Sequence, residues 1–142
     1  MQIYFLTVLA NILAGLVIAN SFLKEKIKGF DKFSDMLENR TFKLWLGIAV
    51  AVIGILSFFK FGEKDIVIIG DLLPSLSSLF CGFVLISQYI AVKSEGDDSV
   101  SEEVSGFFKS VSALSEKYNA IIGITAIIIG ILHMILPSAV IL

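Results

Sequence analysis

The sequence predicts an all-α membrane protein, a four-transmembrane-helix bundle built from two tandem parallel two-span repeats, each with a cytoplasmic amphipathic helix in its linker. Three observations predict it. Four long stretches carry almost no charge, the first pair of stretches resembles the second, and the two longer connections space their apolar residues like helices. Composition agrees: 56% of the 142 residues are hydrophobic, only 17% are charged, and the mean hydropathy is +0.91. A soluble domain is about a quarter charged. Four buried helices in water would need a polar shell that a chain of this length cannot supply.

The first stretch, 3–23, has 21 residues and no charge. It lacks a basic n-region, so it reads as a retained span and not as a secretory signal. The second, 44–59, has 16 uncharged residues, and Lys43 and Lys60 at its ends can snorkel to lengthen it. The third, 66–92, has 27 residues and one charge, Asp71. The fourth, 119–142, has 24 residues and one titratable group, His133. A helix rises about 1.5 Å per residue, so about 20 residues cross a hydrocarbon core. Each stretch is near that length, and tilt absorbs the excess in the third.

Linker one, 24–43, carries Ile27, Phe30, Phe33 and Leu37 at spacings of three and four. Linker three, 93–118, repeats the pattern with Val100, Val104, Phe107, Phe108, Val111, Leu114 and Tyr118, and Ser99 and Ser101 offer capping chemistry at its start. These stripes suit three places: the lipid interface, the mouth of the bundle, or a partner. Phe30, Phe33, Leu37, Val104, Phe107, Phe108 and Val111 are the candidate contact residues. Linker three holds Glu95, Asp97, Asp98, Glu102 and Glu103, so linker one is the better match to anionic lipid.

Nine of the 11 Lys and Arg lie in linkers one and three, and two flank the tight turn at 62–65. The positive-inside rule then puts both long linkers in the cytoplasm and both termini outside. The sequon-like Asn39-Arg40-Thr41 falls on the cytoplasmic side, where it is not glycosylated. Phe42, Trp45, Tyr89 and Tyr118 gather at the inner ends of the spans, and Tyr4, Phe58, Phe59 and Phe61 at the outer ends, as an aromatic belt. Composition and short loops point to a bacterial plasma membrane.

Residues 47–56 and 123–132 align with six of ten positions identical. Upstream, after a one-residue gap, Gly29-Phe30 aligns with Gly106-Phe107, Lys32 with Lys109 and Leu37 with Leu114. In the first and third spans Gly15 falls on Gly82, Val17 on Val84, Asn11 on Ser78 and Asn20 on Ser87. The chain thus reads as one integral membrane domain over 1–142, with repeat one at about 1–62 and repeat two at about 66–142. Each unit crosses twice, so the repeats are parallel and related by an axis along the membrane normal. Gly47, Ala51 and Gly54 form a small-residue face on span two, Gly123, Ala126 and Gly130 on span four, and Ser75, Ser78 and Gly82 on span three. Lipid gives helices no hydrophobic reason to associate, so such faces are where backbones approach.

Asp71 and His133 are the ionisable groups well inside the spans, both in the outer half of the membrane, where a pair between them is feasible. Asp71 could instead cap a helix starting at Leu72-Leu73-Pro74, with 66–70 as a short re-entrant piece. Pro74 and Pro137 each free a backbone carbonyl. Asn11 and Ser78 suit an interhelical hydrogen bond near the axis of the repeat. Asp71, His133, Asn11 and Ser78 together form the candidate intramembrane polar site.

The net charge of −2 offers no basic field for nucleic acid. One cysteine, Cys81, allows no internal disulfide and reads as a small buried apolar group. One histidine gives no ordinary metal ligand set, and no serine has an activating base beside it. Neither cofactor, metal nor catalysis is expected. The expectation is a non-enzymatic polytopic membrane protein, acting as a small complex subunit or self-assembling scaffold. Its amphipathic helices would contact membrane lipid, a second copy or another membrane protein. The alternative is a small-solute or ion transporter or channel with a polar site near Asp71 and His133.

Overall fold

The structure is a computed structural model that describes residues 2–59, 68–93 and 102–135, and of 68–71 the backbone alone. Of the described residues 93% are helical and none is in a strand. In chain order the helices are α1 Gln2–Ile18, α2 Asn20–Lys26, α3 Asp31–Leu37, α4 Arg40–Phe59, α5 Ile68–Lys93, α6 Glu102–Lys117 and α7 Asn119–Ile135. The tight turn at 62–65, the capping serines Ser99 and Ser101, and Pro137 lie outside the described residues.

Two helices are long and apolar enough to cross a membrane by themselves: α4, with a mean hydropathy of 2.2, and 72–93 of α5, with 1.7. The number rises to four if the bent pairs α1–α2 and α6–α7 each count as one span. The uncharged stretch 3–23 is therefore not one straight helix, as its composition suggests. It breaks at Ala19, and α2 leaves α1 at 71°. Two causes meet there. Ala19 is fully buried against the glycine face of α7. Beyond it the chain turns polar, with Lys24, Glu25 and Lys26 exposed, so α2 serves its side chains by heading for water.

Linker one also departs from a single stripe. Gly29 takes φ +89°, a left-handed turn open to glycine, and separates α2 from α3. Phe30 and Leu37 then face the bundle, Leu37 fully buried, whereas Ile27 and Phe33 are exposed. The helix α4 starts where Asn39 Oδ1 accepts the Thr41 N–H at 3.0 Å, an N-cap. On the other side of the bundle α5 runs through Pro74 from Ile68, so no helix starts at Leu72 with Asp71 as its cap, and residues 66 and 67 of the suggested re-entrant piece lie outside the described residues. Pro74 is tolerated inside the helix, where it removes one intrahelical bond and leaves the axis continuous.

The helices α1, α4, α5 and α7 form the bundle, with the widest contacts between α4 and α5 and between α1 and α7. Thr7 near the start of α1 bonds to Ser57 near the end of α4, and Tyr4 meets His133 near the end of α7. Those pairs are antiparallel. Asn11 of α1 meets Pro74 and Ser78 of α5 at matching depth, so α1 and α5 run the same way.

Glycines mark both main crossings. A methyl group on Gly15 would lie 2.6 Å from the Gly123 carbonyl oxygen, and one on Gly82 2.9 Å from that of Gly47. Gly130 packs against Val8 and Ile12, and Gly54 against Ser75 and Leu79. In the sequence alignment these are equivalent positions throughout, so aligned residues make matching contacts.

The apolar core includes buried polar side chains, and many large apolar ones are exposed. Asn11, Ser75, Ser78 and Ser87 are wholly buried, while Phe59 is 74% exposed, Trp45 66% and Ile121 65%. Water would penalise that arrangement at every exposed apolar side chain.

Candidate polar site within the bundle

One face of α1 builds the site. Tyr4, Thr7, Asn11 and Gly15 recur at spacings of three and four, so they stack along one side of the helix. Each meets a different neighbour or depth. Thr7 Oγ1 lies 2.7 Å from Ser57 Oγ on α4, and Thr7 also donates to the Ile3 carbonyl at 2.9 Å.

Asn11 is fully buried. Its Nδ2 faces the Thr7 and Pro74 carbonyls, each at 3.0 Å, and Ser78 Oγ at 2.9 Å. Two carbonyls can only accept, which fixes the amide with nitrogen toward them. Its Oδ1 has no partner among the described residues, a cost left in the centre of the bundle. Bonds of this kind between membrane helices contribute on the order of 1 kcal/mol each.

His133 is 8% exposed, near the end of α7. The Tyr4 hydroxyl donates to its backbone carbonyl, and the two rings tilt together with centroids 4.5 Å apart. The residue four positions on is Pro137, which has no N–H to return to that carbonyl. Tyr4 supplies a donor to it from another helix. The side chain of Asp71 lies outside the described residues, so the structure places His133 against Tyr4 and says nothing of a partner in Asp71.

Among the candidate residues, the structure thus joins Asn11 to Ser78 and sets His133 at a second level, beside Tyr4 at the start of α1. Sequence reasoning missed Thr7 and Ser57 and read Tyr4 only as part of an aromatic belt. Counting back from Asn11 by four and then three would have found both α1 residues. Ser57 has no such signal, since α4 shows only a lone hydroxyl near its end.

The linker stripes divide. Phe108 and Val111 are half-buried, and Phe108 and Phe107 both contact Phe83 of α5 at 6.2 Å between centroids. Ser112 and Ser115 face the bundle, with Gln88 donating to Ser115 Oγ at 3.1 Å. Val104, Phe107 and Leu114 point outward and are exposed. Cys81 is buried, and no group of three or more His, Cys, Asp or Glu that could hold a metal exists among the described residues.

The molecule so defined is a helical bundle with an apolar exterior and a packed, hydroxyl- and amide-rich centre. It belongs to a protein family of unknown function whose model matches residues 1–133. No curated protein and no solved structure matches the chain.

Proposed function

We propose that this chain is a non-enzymatic polytopic integral membrane protein, a small membrane-complex subunit or self-assembling scaffold. In this reading α1, α4, α5 and α7 span the membrane as two parallel two-span repeats. The linkers lie on the cytoplasmic side of the plasma membrane, with both termini outside. The matching glycine contacts of α1 with α7 and of α5 with α4 support the duplication, since aligned residues would otherwise have no reason to meet the same neighbours.

The observation that carries the reading is the placement of α6. It leaves α7 at 77°, which for a spanning α7 lays it near the membrane plane. It docks on α5 through serines, Phe108 and one edge of Phe107, and leaves Val104, Leu114 and most of Phe107 exposed. That apolar edge continues into exposed Phe83 and Phe80 of α5. A helix so placed is held at the interface and keeps an apolar edge for lipid and for a neighbouring span.

Crosslinking of the full chain in native membranes tests the reading. It captures a second copy or another membrane protein, and Phe107→Ser with Leu114→Ser lowers that capture while the bundle stays folded. Membranes from which nothing is captured, or a double variant that assembles as before, contradict it.

A further inference from the structure

Where α2, α3 and α6 meet the bundle, a cavity of about 270 Å³ opens among Asn20, Glu38, Lys43, Gln88, Glu116 and Asn119. A second lobe of about 150 Å³ shares Glu38, Lys43, Gln88 and Glu116 and adds Arg40. The place is not arbitrary. By the alignment Lys43 is equivalent to Asn119 and Ser21 to Gln88, so the cavity takes equivalent residues from both halves of the chain. It sits on the line that relates them. Lys43 opposite Asn119 makes one side cationic and breaks the equivalence.

The charges in the cavity are not consumed internally. Glu38 is engaged, with Lys24 at 3.6 Å and the Ser34 hydroxyl at 3.2 Å. Lys43, Arg40 and Glu116 have no ion pair among the described residues. Asn20 is 4% exposed, and its Oδ1 is a buried acceptor with no donor among the described residues. Its aligned counterpart, Ser87, satisfies itself on the Phe83 carbonyl at 2.7 Å. One cavity therefore offers a free carboxylate and a free amide oxygen, which want an N–H donor with positive charge. It also offers a free ammonium and a guanidinium, which want an oxyanion.

We infer that this cavity binds a small zwitterion, its ammonium taken by Glu116 and Asn20 and its oxyanion by Lys43 and Arg40. A lone cation or a lone anion would leave half of these groups unmatched, and a lone anion would leave the buried Asn20 Oδ1 without a donor. The inference goes beyond the scaffold reading and does not depend on assembly. Two sources share this chemistry: a free amino acid and the headgroup of phosphatidylethanolamine.

Calorimetric titration of the full chain in phosphatidylglycerol nanodiscs tests it. The probes are L-alanine, phosphoethanolamine, and, as single-charge controls, propionate and ethylamine. Saturable binding of alanine supports a soluble ligand, and saturation by phosphoethanolamine alone supports the headgroup. In either case the single-charge controls bind at least about tenfold weaker, and Lys43→Gln or Glu116→Gln each weakens the zwitterion about tenfold, or about 1.4 kcal/mol. Glu116 is exposed and Lys43 half-buried, so both variants keep the fold. The inference is overturned if neither zwitterion saturates, if a single-charge control binds as well, or if both variants bind unchanged.

Discussion

The two glycine crossings use aligned residues and yet differ in tightness. Between α1 and α7, a methyl group on Gly123 would lie 2.4 Å from Ala19 Cβ and 2.6 Å from both Ala19 N and the Gly15 carbonyl oxygen. Between α4 and α5, a methyl group on Gly47 would lie 3.0 Å from Leu85 Cβ, 3.2 Å from Ile86 Cγ1 and 3.3 Å from the Gly82 carbonyl oxygen. Backbone lines both crossings, since a methyl group on Gly82 would lie 2.8 Å from Ala51 N, and the difference is one of distance. The tighter crossing also sits between the two breaks in the bundle, at Ala19 and at Tyr118, whereas α4 and α5 pass their crossing unbroken. Close approach of α1 and α7 thus coincides with helices that turn away immediately afterwards, and those turns set α2 and α6 at the bundle's end. Aligned residues keep matching contacts at both crossings, while one of the two also redirects the chain.

Substituting both crossings breaks the comparison most forcefully. Gly123→Ala pushes on backbone atoms that cannot rotate away, so it costs about 3 kcal/mol in a reversible detergent unfolding titration. Gly47→Ala costs about 1 kcal/mol in the same assay, since its nearest contacts lie at 3.0 Å or beyond and the Ile86 side chain can yield. Equal losses at the two sites would mean that the crossings do not differ as described. Asn11→Ala comes next. It removes the donor shared by Thr7, Pro74 and Ser78 and destabilises by about 2 kcal/mol, which the same titration reads. Tyr4→Phe removes the one hydroxyl that serves the His133 carbonyl and costs about 1 kcal/mol. The smallest effect has the opposite sign. Gly106 lies within α6 with nothing within 4 Å of an added methyl group, so Gly106→Ala stabilises that helix by at most about 1 kcal/mol. Amide hydrogen exchange across α6 slows if this is right and is unchanged if α6 is held only by its contacts with α5.

The sequence made the helical class legible because charge is confined to a few segments, and a helix is the element that best buries its own backbone polar groups among apolar side chains. The small-residue faces at Gly47, Gly54, Gly82, Gly123 and Gly130 were legible for a similar reason, since each falls at helical spacing. Asn11 and Ser78 could be paired because both are polar, uncharged and aligned. The break at Ala19 was not legible. Nothing in an uncharged run of alanine, valine and leucine marks where a neighbouring helix will cross, and the bend answers to Gly123, more than a hundred residues away in the chain. The outward stripe of α6 was likewise readable as amphipathic, but not which side the bundle would take. The bundle took the serines, because Gln88 and Ser115 satisfy one another there.

Accessibility of the linker helices tests the central claim most directly, namely that lipid surrounds the bundle and that α2, α3 and α6 lie at its cytoplasmic end. With Cys81→Ser removing the buried native thiol, single cysteines at Lys28 and Glu103 can be challenged with a membrane-impermeant maleimide. Both react in inverted membrane vesicles and stay unlabelled in intact cells. Labelling of either position from outside intact cells, or recovery of the folded chain in the soluble fraction without detergent, contradicts it.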